Sequence, residues 1–248
     1  MKITIGDTVE ETLENTARYF VDTAVRNIDK KGSFSVALSG GSSPKKVYEI
    51  LASKYAMALD WKKVHFFFGD ERYVPQDHAD SNYLMAKKTL FTPLAIHPSQ
   101  VYAVDTSLEP AAAAAAYTQT IDKFFNGEKI SFDLILLGLG DNSHTASLFP
   151  HTDILEDDSV SVKSVFLPEE KVYRISFTFP LINQASRTAF LVYGKGKAEA
   201  VRHVIEDPIN IAEYPAQLIV PSNGFLMWFL DKEAASELAM KDPTGVLS

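Results

Sequence analysis

Four short polar clusters in this chain could do chemistry, and each follows an apolar run. Asp141-Asn142-Ser143-His144, trailed by Thr145 and Ser147, comes directly after Phe132-Asp-Leu-Ile-Leu-Leu-Gly138-Leu-Gly140. Imidazole titrates near neutrality and is suited to taking and returning a proton, which makes His144 the candidate general base. Asp70-Glu71-Arg72 follows Val64-His-Phe-Phe-Phe-Gly69, and charge directly after a buried strand is costly unless it is solvated or used. Ser39-Gly40-Gly41-Ser42-Ser43-Pro44 follows Val36-Ala-Leu38. Its glycines permit close backbone approach, a helix start supplies unpaired N–H groups, and the serines add hydroxyl donors. That set suits a phosphate. Gly194-Lys195-Gly196-Lys197-Ala198 puts Lys197 in the first turn of a helix. A cation there opposes the helix dipole unless an anion sits with it, so Lys197 is a candidate phosphate partner.

Each cluster also has a plainer reading. The Gly-Gly-Ser segment fits an ordinary turn between strand and helix with a serine cap. It lacks both the Gly-Lys-Thr end of a nucleotide P-loop and the Gly-x-Gly-x-x-Gly dinucleotide fingerprint. Asp70–Arg72 fits structural ion pairs at a loop start, which spacing alone favours over a site edge, and Lys197 fits a solvated lysine. Asp77, His78 and Asp80 lack a second matched cluster and read as a hydrogen-bonded loop rather than metal ligands. His65 and His97 read as structural, His203 as exposed, and His151 is not spaced from His144 as a helical metal pair. For His144 the position decides: it follows a glycine-rich turn at a strand's carboxyl end, where open α/β sheets bind ligands.

The elements that must position these residues can be read from periodicity. Val9, Leu13, Ala17, Phe20, Ala24 and Ile28 recur at helical spacing, predicting a helix from Thr8 to about Lys30. Strands are predicted at Ser33–Ser39, Val64–Phe68, Val101–Val104, Phe132–Gly138, Lys171–Phe177 and Thr188–Tyr193. Helices are predicted from Pro44 to about Tyr55, over Ser81–Leu90, Glu109–Phe125 and Lys195–Ile205, and from Asp231 through Met240. The alternation predicts an α/β fold: one domain over residues 1–248, doubly wound, with a mostly parallel sheet flanked by helices. A net charge of −8 disfavours a nucleic-acid or anionic-membrane surface. The absence of cysteine removes disulfides, thiolate catalysis and cysteine-ligated zinc. Met1–Asp7 carries no apolar signal core, and Phe225–Leu230, the longest apolar stretch, is too short to span a bilayer. The expectation is a cytoplasmic protein.

Taken in order, these segments resemble the 6-phosphogluconolactonases over nearly the whole chain. The resemblance rests on Leu38-Ser-Gly-Gly-Ser-Ser-Pro44, then Asp70-Glu-Arg-Tyr-Val-Pro75 with Ser81-Asn-Tyr83. It continues with Phe132-Asp-Leu-Ile-Leu-Leu-Gly138, His144-Thr-Ala-Ser-Leu-Phe-Pro150 and Arg174-Ile-Ser-Phe-Thr-Phe-Pro180. Gly194-Lys-Gly-Lys-Ala198, Pro215-Ala-Gln-Leu-Ile-Val-Pro221 and Trp228-Phe-Leu-Asp231 complete it. The resemblance implies a Rossmann-like sheet of the sugar-phosphate isomerase/deaminase type. It also implies hydrolysis of 6-phospho-D-glucono-1,5-lactone to 6-phosphogluconate in the oxidative pentose phosphate pathway. His144 would activate water, and Arg72 would stabilise the oxyanion or hold the sugar acid. Asp70 would orient Arg72 or bind hydroxyls. Gly40, Gly41, Ser42, Ser43 and Lys197 would hold the 6-phosphate with Arg174, and Asn142 would contact substrate. No metal or organic cofactor is implied; the partner is the small sugar-phosphate lactone, and the protein a monomer or homodimer.

The glucosamine-6-phosphate deaminases are similar through the same loop and histidine turn. They carry a relay glutamate five residues after the histidine, where this chain has Phe149, and Asp-Glu-Tyr where it has Asp70-Glu71-Arg72. One departure from the lactonase pattern stands out: the usual Asp-Gly-His turn is Asn142-Ser143-His144 here, with an aspartate one place earlier at Asp141. Two alternatives remain, a deaminase or isomerase of an amino sugar phosphate and a non-catalytic sugar-phosphate sensor. A sensor normally brings a DNA-binding module, for which no room is expected before the Thr8 helix or after Met240.

Overall fold

The first helix is specified at both ends. In the computed structural model, which describes residues 1–222 and 224–239, α1 (Val9–Lys31) begins where the Thr8 hydroxyl accepts the Glu11 N–H. Glu10 and Glu11 lie in its first turn and Lys30 and Lys31 in its last, and it ends at Gly32 with φ 83°. Cap, charges and left-handed glycine all agree with the helix dipole and its unpaired ends. The remaining elements are β1 (Lys2–Gly6), β2 (Phe34–Leu38), α2 (Ser42–Lys54), β3 (Val64–Phe68), β4 (Asp70–Arg72), α3 (Asn82–Ala86), α4 (Pro110–Phe124) and β5 (Leu134–Leu137). They continue with β6 (Val162–Leu167), β7 (Val172–Phe177), α5 (Phe179–Asn183), β8 (Arg187–Val192), α6 (Ala198–Ile205) and β9 (Phe225–Asp231).

Six strands form one sheet in the order β1-β9-β8-β5-β2-β3, every pair parallel. β2 and β5 are buried along their whole length, as expected of central strands covered on both faces. Phe20, Phe34, Trp61, Phe66 and Phe68 belong to one hydrophobic cluster, and Phe67, Phe132, Phe177, Phe190 and Trp228 to a second. Alternate residues of β3 thus feed different clusters, as the pleat requires. Each such side chain contributes about 1.5–3 kcal/mol on burial. The chain winds from β2 out to β3 and then returns to β5 on the other side of β2. The carboxyl ends of β2 and β5 therefore flank the point where winding reverses, the crevice where open sheets take ligands. Among the described residues no helix is long and apolar enough to cross a membrane.

The structure differs from the sequence expectation in several places. A second, antiparallel sheet of order β4-β7-β6 was not foreseen: Asp70–Arg72 is its edge strand rather than a loop start. Neither β6 nor β1, whose Lys2-Ile-Thr-Ile-Gly6 does alternate, was predicted. Val101–Val104 forms only a bridge to Phe66, with Tyr102 N–H donating to Phe66 O at 2.8 Å. The helix over Ser81–Leu90 is capped by Ser81 but turns after Ala86 into a wider π-helical turn at Lys87–Phe91. α2 starts two residues before Pro44. The final helix is replaced by turns after β9; Asp231 caps them by accepting Ala234 N–H at 2.8 Å, and Met240 lies outside the described residues.

Candidate active site

The carboxyl ends of β2, β3, β5 and β8 open onto a cleft of about 400 Å³. Its walls include Gly40, Gly41, Ser42, Ser43, Asp70, Arg72, His144, Arg174 and Lys197. Three loops and two strands, far apart in the chain, thus deliver nine of the ten residues singled out from the sequence to one place. The tenth, Asn142, is exposed and stands behind the histidine rather than in the cleft wall.

The turn that carries His144 is tied down on several sides. Gly140 N–H donates to His144 O at 2.8 Å, Ser143 N–H to Gly140 O at 3.0 Å, and Ala216 N–H to Ser143 O at 3.0 Å. The Thr145 hydroxyl donates to Gly138 O at 2.8 Å. Ser143 is buried with φ 60° and Ala146 has φ 48°. Two non-glycine residues held left-handed within four positions is a strain that persists only where surrounding contacts enforce it.

The imidazole stacks on Phe149, with centroids 4.0 Å apart and planes at 22°. Its Nδ1 lies 2.5 Å from Asn142 Oδ1, which also accepts the His144 N–H at 3.4 Å. A carbonyl oxygen only accepts, so Nδ1 bears the proton and Nε2 keeps its lone pair. Burial, followed by the Lys197 charge and then Arg174 and Arg72, pulls the imidazole down to about 4 against the opposing Asp141 carboxylate. The ring is neutral at neutral pH and able to accept a proton.

Asp70, Glu71 and Arg72 divide their work. Spacing favoured structural ion pairs for this cluster, and the structure corrects that reading. Glu71 is buried and turns from the cleft, accepting the backbone N–H groups of Arg72, Asn82 and Tyr83 at 2.8, 2.7 and 2.8 Å. It clamps the start of α3 without a cation. Asp70 faces the cleft and accepts the Ser147 hydroxyl at 2.8 Å. Burial raises its carboxyl above the usual range, opposed by Arg72, the Ser147 hydrogen bond and Arg174. Arg72 lies directly across the small sheet from Arg174 and donates to Asp80 O at 2.9 Å.

At the other end of the cleft, Gly41 has φ 103° and offers no side-chain cap to α2, which leaves the first-turn N–H groups of Ser42 and Ser43 without intrahelical partners. A Cβ on Gly40 would fall 1.9 Å from Asn82 Oδ1, so only glycine lets this loop pack on α3. The Tyr48 hydroxyl fixes Ser39 by accepting its N–H at 3.0 Å and donating to its carbonyl at 2.8 Å. Lys197 immediately precedes α6 and pairs with Asp141 at 2.5 Å; Arg174 pairs with Glu170 at 2.8 Å.

Other histidines serve the scaffold. His203, expected to be exposed, is mostly covered: it stacks on Tyr214 and lies 2.5 Å from Asp207 Oδ2. His151 pairs with Glu213 at 3.1 Å, His97 caps a short turn and His78 Nδ1 accepts Asp80 N–H at 3.2 Å. Sequence reasoning missed Glu170 in the cleft wall, Ser147 on Asp70, and Ala216 holding the histidine turn. Ser147 and Ala216 had a signal, as parts of the His144–Pro150 and Pro215–Pro221 segments; Glu170 had none.

The family described as glucosamine-6-phosphate isomerases/6-phosphogluconolactonase matches residues 7–228. A 6-phosphogluconolactonase from Nostoc sp. is 42% identical over 226 residues, covering 89% of this chain and 90% of that one. The solved 6-phosphogluconolactonase from Trypanosoma brucei superposes with a TM-score of 0.84 at 30% identity, covering 96% of this chain and 98% of that one. A monomeric glucosamine-6-phosphate deaminase, 24% identical with a TM-score of 0.81 over 95% of this chain and 99% of that one, shares the fold. With the match covering most of the chain and these relatives nearly all of it, this protein belongs to the glucosamine-6-phosphate isomerase/6-phosphogluconolactonase family.

Proposed function

We propose that this chain, acting as one lactonase domain, hydrolyses 6-phospho-D-glucono-1,5-lactone to 6-phosphogluconate. The observation that carries the reading is the His144 imidazole, whose Nδ1 contact with Asn142 Oδ1 leaves Nε2 as the acceptor. It shares one cleft with a helix start, a lysine and an arginine suited to a phosphate. A δ-lactone is an activated ester and needs no covalent nucleophile; a held water and a base suffice. The phosphate docks on Ser42, Ser43, Lys197 and Arg174 and sets C1 before His144. The phosphate dianion also offsets Lys197 and Arg174, two of the three cations that depress the imidazole, which strengthens the base once substrate is bound.

His144 Nε2 takes a proton from water as the water oxygen bonds to C1. The carbonyl electrons move to oxygen, where Arg72 stabilises the anion, while Asp70 binds ring hydroxyls. As the intermediate collapses, the bond from C1 to the ring oxygen breaks and the imidazolium returns its proton to that oxygen. Phe149, stacked on the imidazole, has no proton to exchange, so the relay for moving hydrogen between C1 and C2 of an amino sugar is missing. The protein works without metal or organic cofactor, as a cytoplasmic monomer or homodimer.

The test supplies freshly generated lactone and, separately, glucosamine 6-phosphate. Rapid formation of 6-phosphogluconate above the spontaneous rate, with no ammonia, is expected. Ammonia release at a comparable rate overturns the assignment, and binding of 6-phosphogluconate without turnover of either substrate favours a sensor.

The neutral partner of the base makes a separate prediction. In Asn142→Asp a carboxylate would face Nδ1, stabilising the imidazolium and raising its pKa by roughly one unit or more. The acidic limb of kcat/KM, which reports the free enzyme, is expected near pH 4 in the native protein and correspondingly higher in the variant. The variant therefore loses activity around pH 5 first. Superimposable pH profiles would rule out the Asn142 contact.

A further inference from the structure

Two carboxylates at the phosphate end of the cleft have no part in the hydrolysis. Asp141 Oδ1 lies 2.5 Å from Lys197 Nζ, the aspartate side chain 83% exposed and the lysine 30%. Glu170 Oε2 lies 2.8 Å from Arg174 Nη2, the glutamate 54% exposed and the arginine 16%. In each pair the cation belongs to the cleft wall; Glu170 lines the cleft beside its arginine, and Asp141 reaches its lysine from outside the lining. Asp141 comes from the turn before His144, and Glu170 from the β6–β7 hairpin, beside Lys171 with φ 55°. The other terminal nitrogen of Arg174 donates to Tyr173 O at 3.3 Å, so both ends of that guanidinium are engaged.

Exposed ion pairs of this kind are weak in water. A phosphate dianion brings two charges and several acceptor oxygens to the same cations, together with the free N–H groups of α2, and outcompetes a single carboxylate. We propose that Asp141 and Glu170 are intramolecular competitors for the phosphate subsite. They occupy Lys197 and Arg174 while the cleft is empty, yield to the substrate's phosphate, and return as product departs. The proposal rests on the lactonase reading, and the chemistry gives it a purpose. Substrate and product carry the same phosphate, so every contact that anchors the lactone also retains the hydrolysed acid. A built-in competitor lowers both affinities, speeds product release, and keeps inorganic phosphate from filling the site.

The test is calorimetric titration of 6-phosphogluconate, inorganic phosphate and gluconate into the native protein, Asp141→Asn, Glu170→Gln, the double variant and Glu169→Gln. Asp141 and Glu170 are exposed, and thermal unfolding confirms that each variant is folded. Each single variant is expected to bind 6-phosphogluconate and inorganic phosphate about two- to fivefold tighter, and the double variant about tenfold. Gluconate, which has no phosphate, is expected to bind all five proteins alike. Glu169→Gln removes the same charge from an exposed side chain that makes no ion pair among the described residues, and is expected to leave phosphate binding unchanged. In turnover, the double variant shows a lower KM and stronger inhibition by 6-phosphogluconate. Unchanged or weaker phosphate binding in Asp141→Asn and Glu170→Gln overturns the proposal. Equal tightening in Glu169→Gln also overturns it, by reducing the effect to net charge. Failure of the lactonase reading itself is separable, because the native protein would then not turn over lactone at all.

Discussion

His144→Ala lowers kcat for the lactone by roughly two to four orders of magnitude, the span expected for loss of a positioned general base. Its affinity for 6-phosphogluconate changes little. The size of the effect follows from what else the cleft holds. Asp70 accepts the Ser147 hydroxyl and Glu170 is held by Arg174 at the phosphate end of the cleft, while arginine and lysine side chains are donors only. Neither carboxylate is paired and oriented as the imidazole is by Asn142 and Phe149. Residual activity comes from phosphate tethering and from Arg72, which the substitution leaves in place, so KM is nearly preserved while kcat falls. A folded variant with native kcat would remove His144 from the mechanism.

The same variant has a signature in stability. The native imidazole titrates near 4 and an unfolded one near 6.5, so below about pH 6.5 the unfolded chain binds a proton that the folded chain refuses. This contribution to stability is complete above pH 6.5 and is lost as pH falls toward 4. His144→Ala abolishes that part of the pH dependence, measurable as denaturation midpoints at pH 7 and pH 5.

Gly140→Ala is expected to approach the same loss without touching any chemical group. A Cβ at this position would fall 2.0 Å from His144 Nδ1 and 2.1 Å from Cε1. The ring must move, and it leaves both Asn142 and the Phe149 face. Displacing a catalytic group by about 1 Å costs on the order of 10²-fold. Gly138→Ala is the control for ring position, since a Cβ there meets nothing within 4 Å and leaves the imidazole in place; because Gly138 lines the cleft, the two variants are compared in kcat rather than KM. Equal activity in the two variants would mean that the imidazole tolerates displacement and that its position is not set by close packing against Gly140.

The candidate site was legible in the sequence to the extent that chemistry is concentrated after apolar runs. Gly40–Ser43, Asp70, Arg72, His144 and Lys197 all follow strands whose burial is written in local composition. A parallel sheet brings the carboxyl ends of such strands to one edge. The helix starts at Thr8 and Ser81 were legible for the same reason, because a cap acts within one turn of itself. Where local and distant forces competed, the reading failed. Asp70–Arg72 has no strand pattern because its pairing partner is β7, a hundred residues away, and its side chains answer to the cleft and to the backbone of α3 rather than to a hydrophobic core.

By itself, then, the sequence determined the parallel α/β frame, the loops that carry the chemistry, and the family, since these depend on periodicity, caps and ordered motifs. Tertiary structure alone decided what each polar residue does. It set Arg72 across from Arg174, Ser147 on Asp70, and Glu71 on the backbone of α3. It also split the neighbouring Asp141 and Asn142 between a lysine and the base. Glu71 and Asp70 are alike in charge and adjacent in the chain; one is a clamp and the other faces the cleft because successive side chains of a strand point to opposite sides. Which side is the cleft depends on contacts that close only when distant segments meet, and no local pattern encodes them.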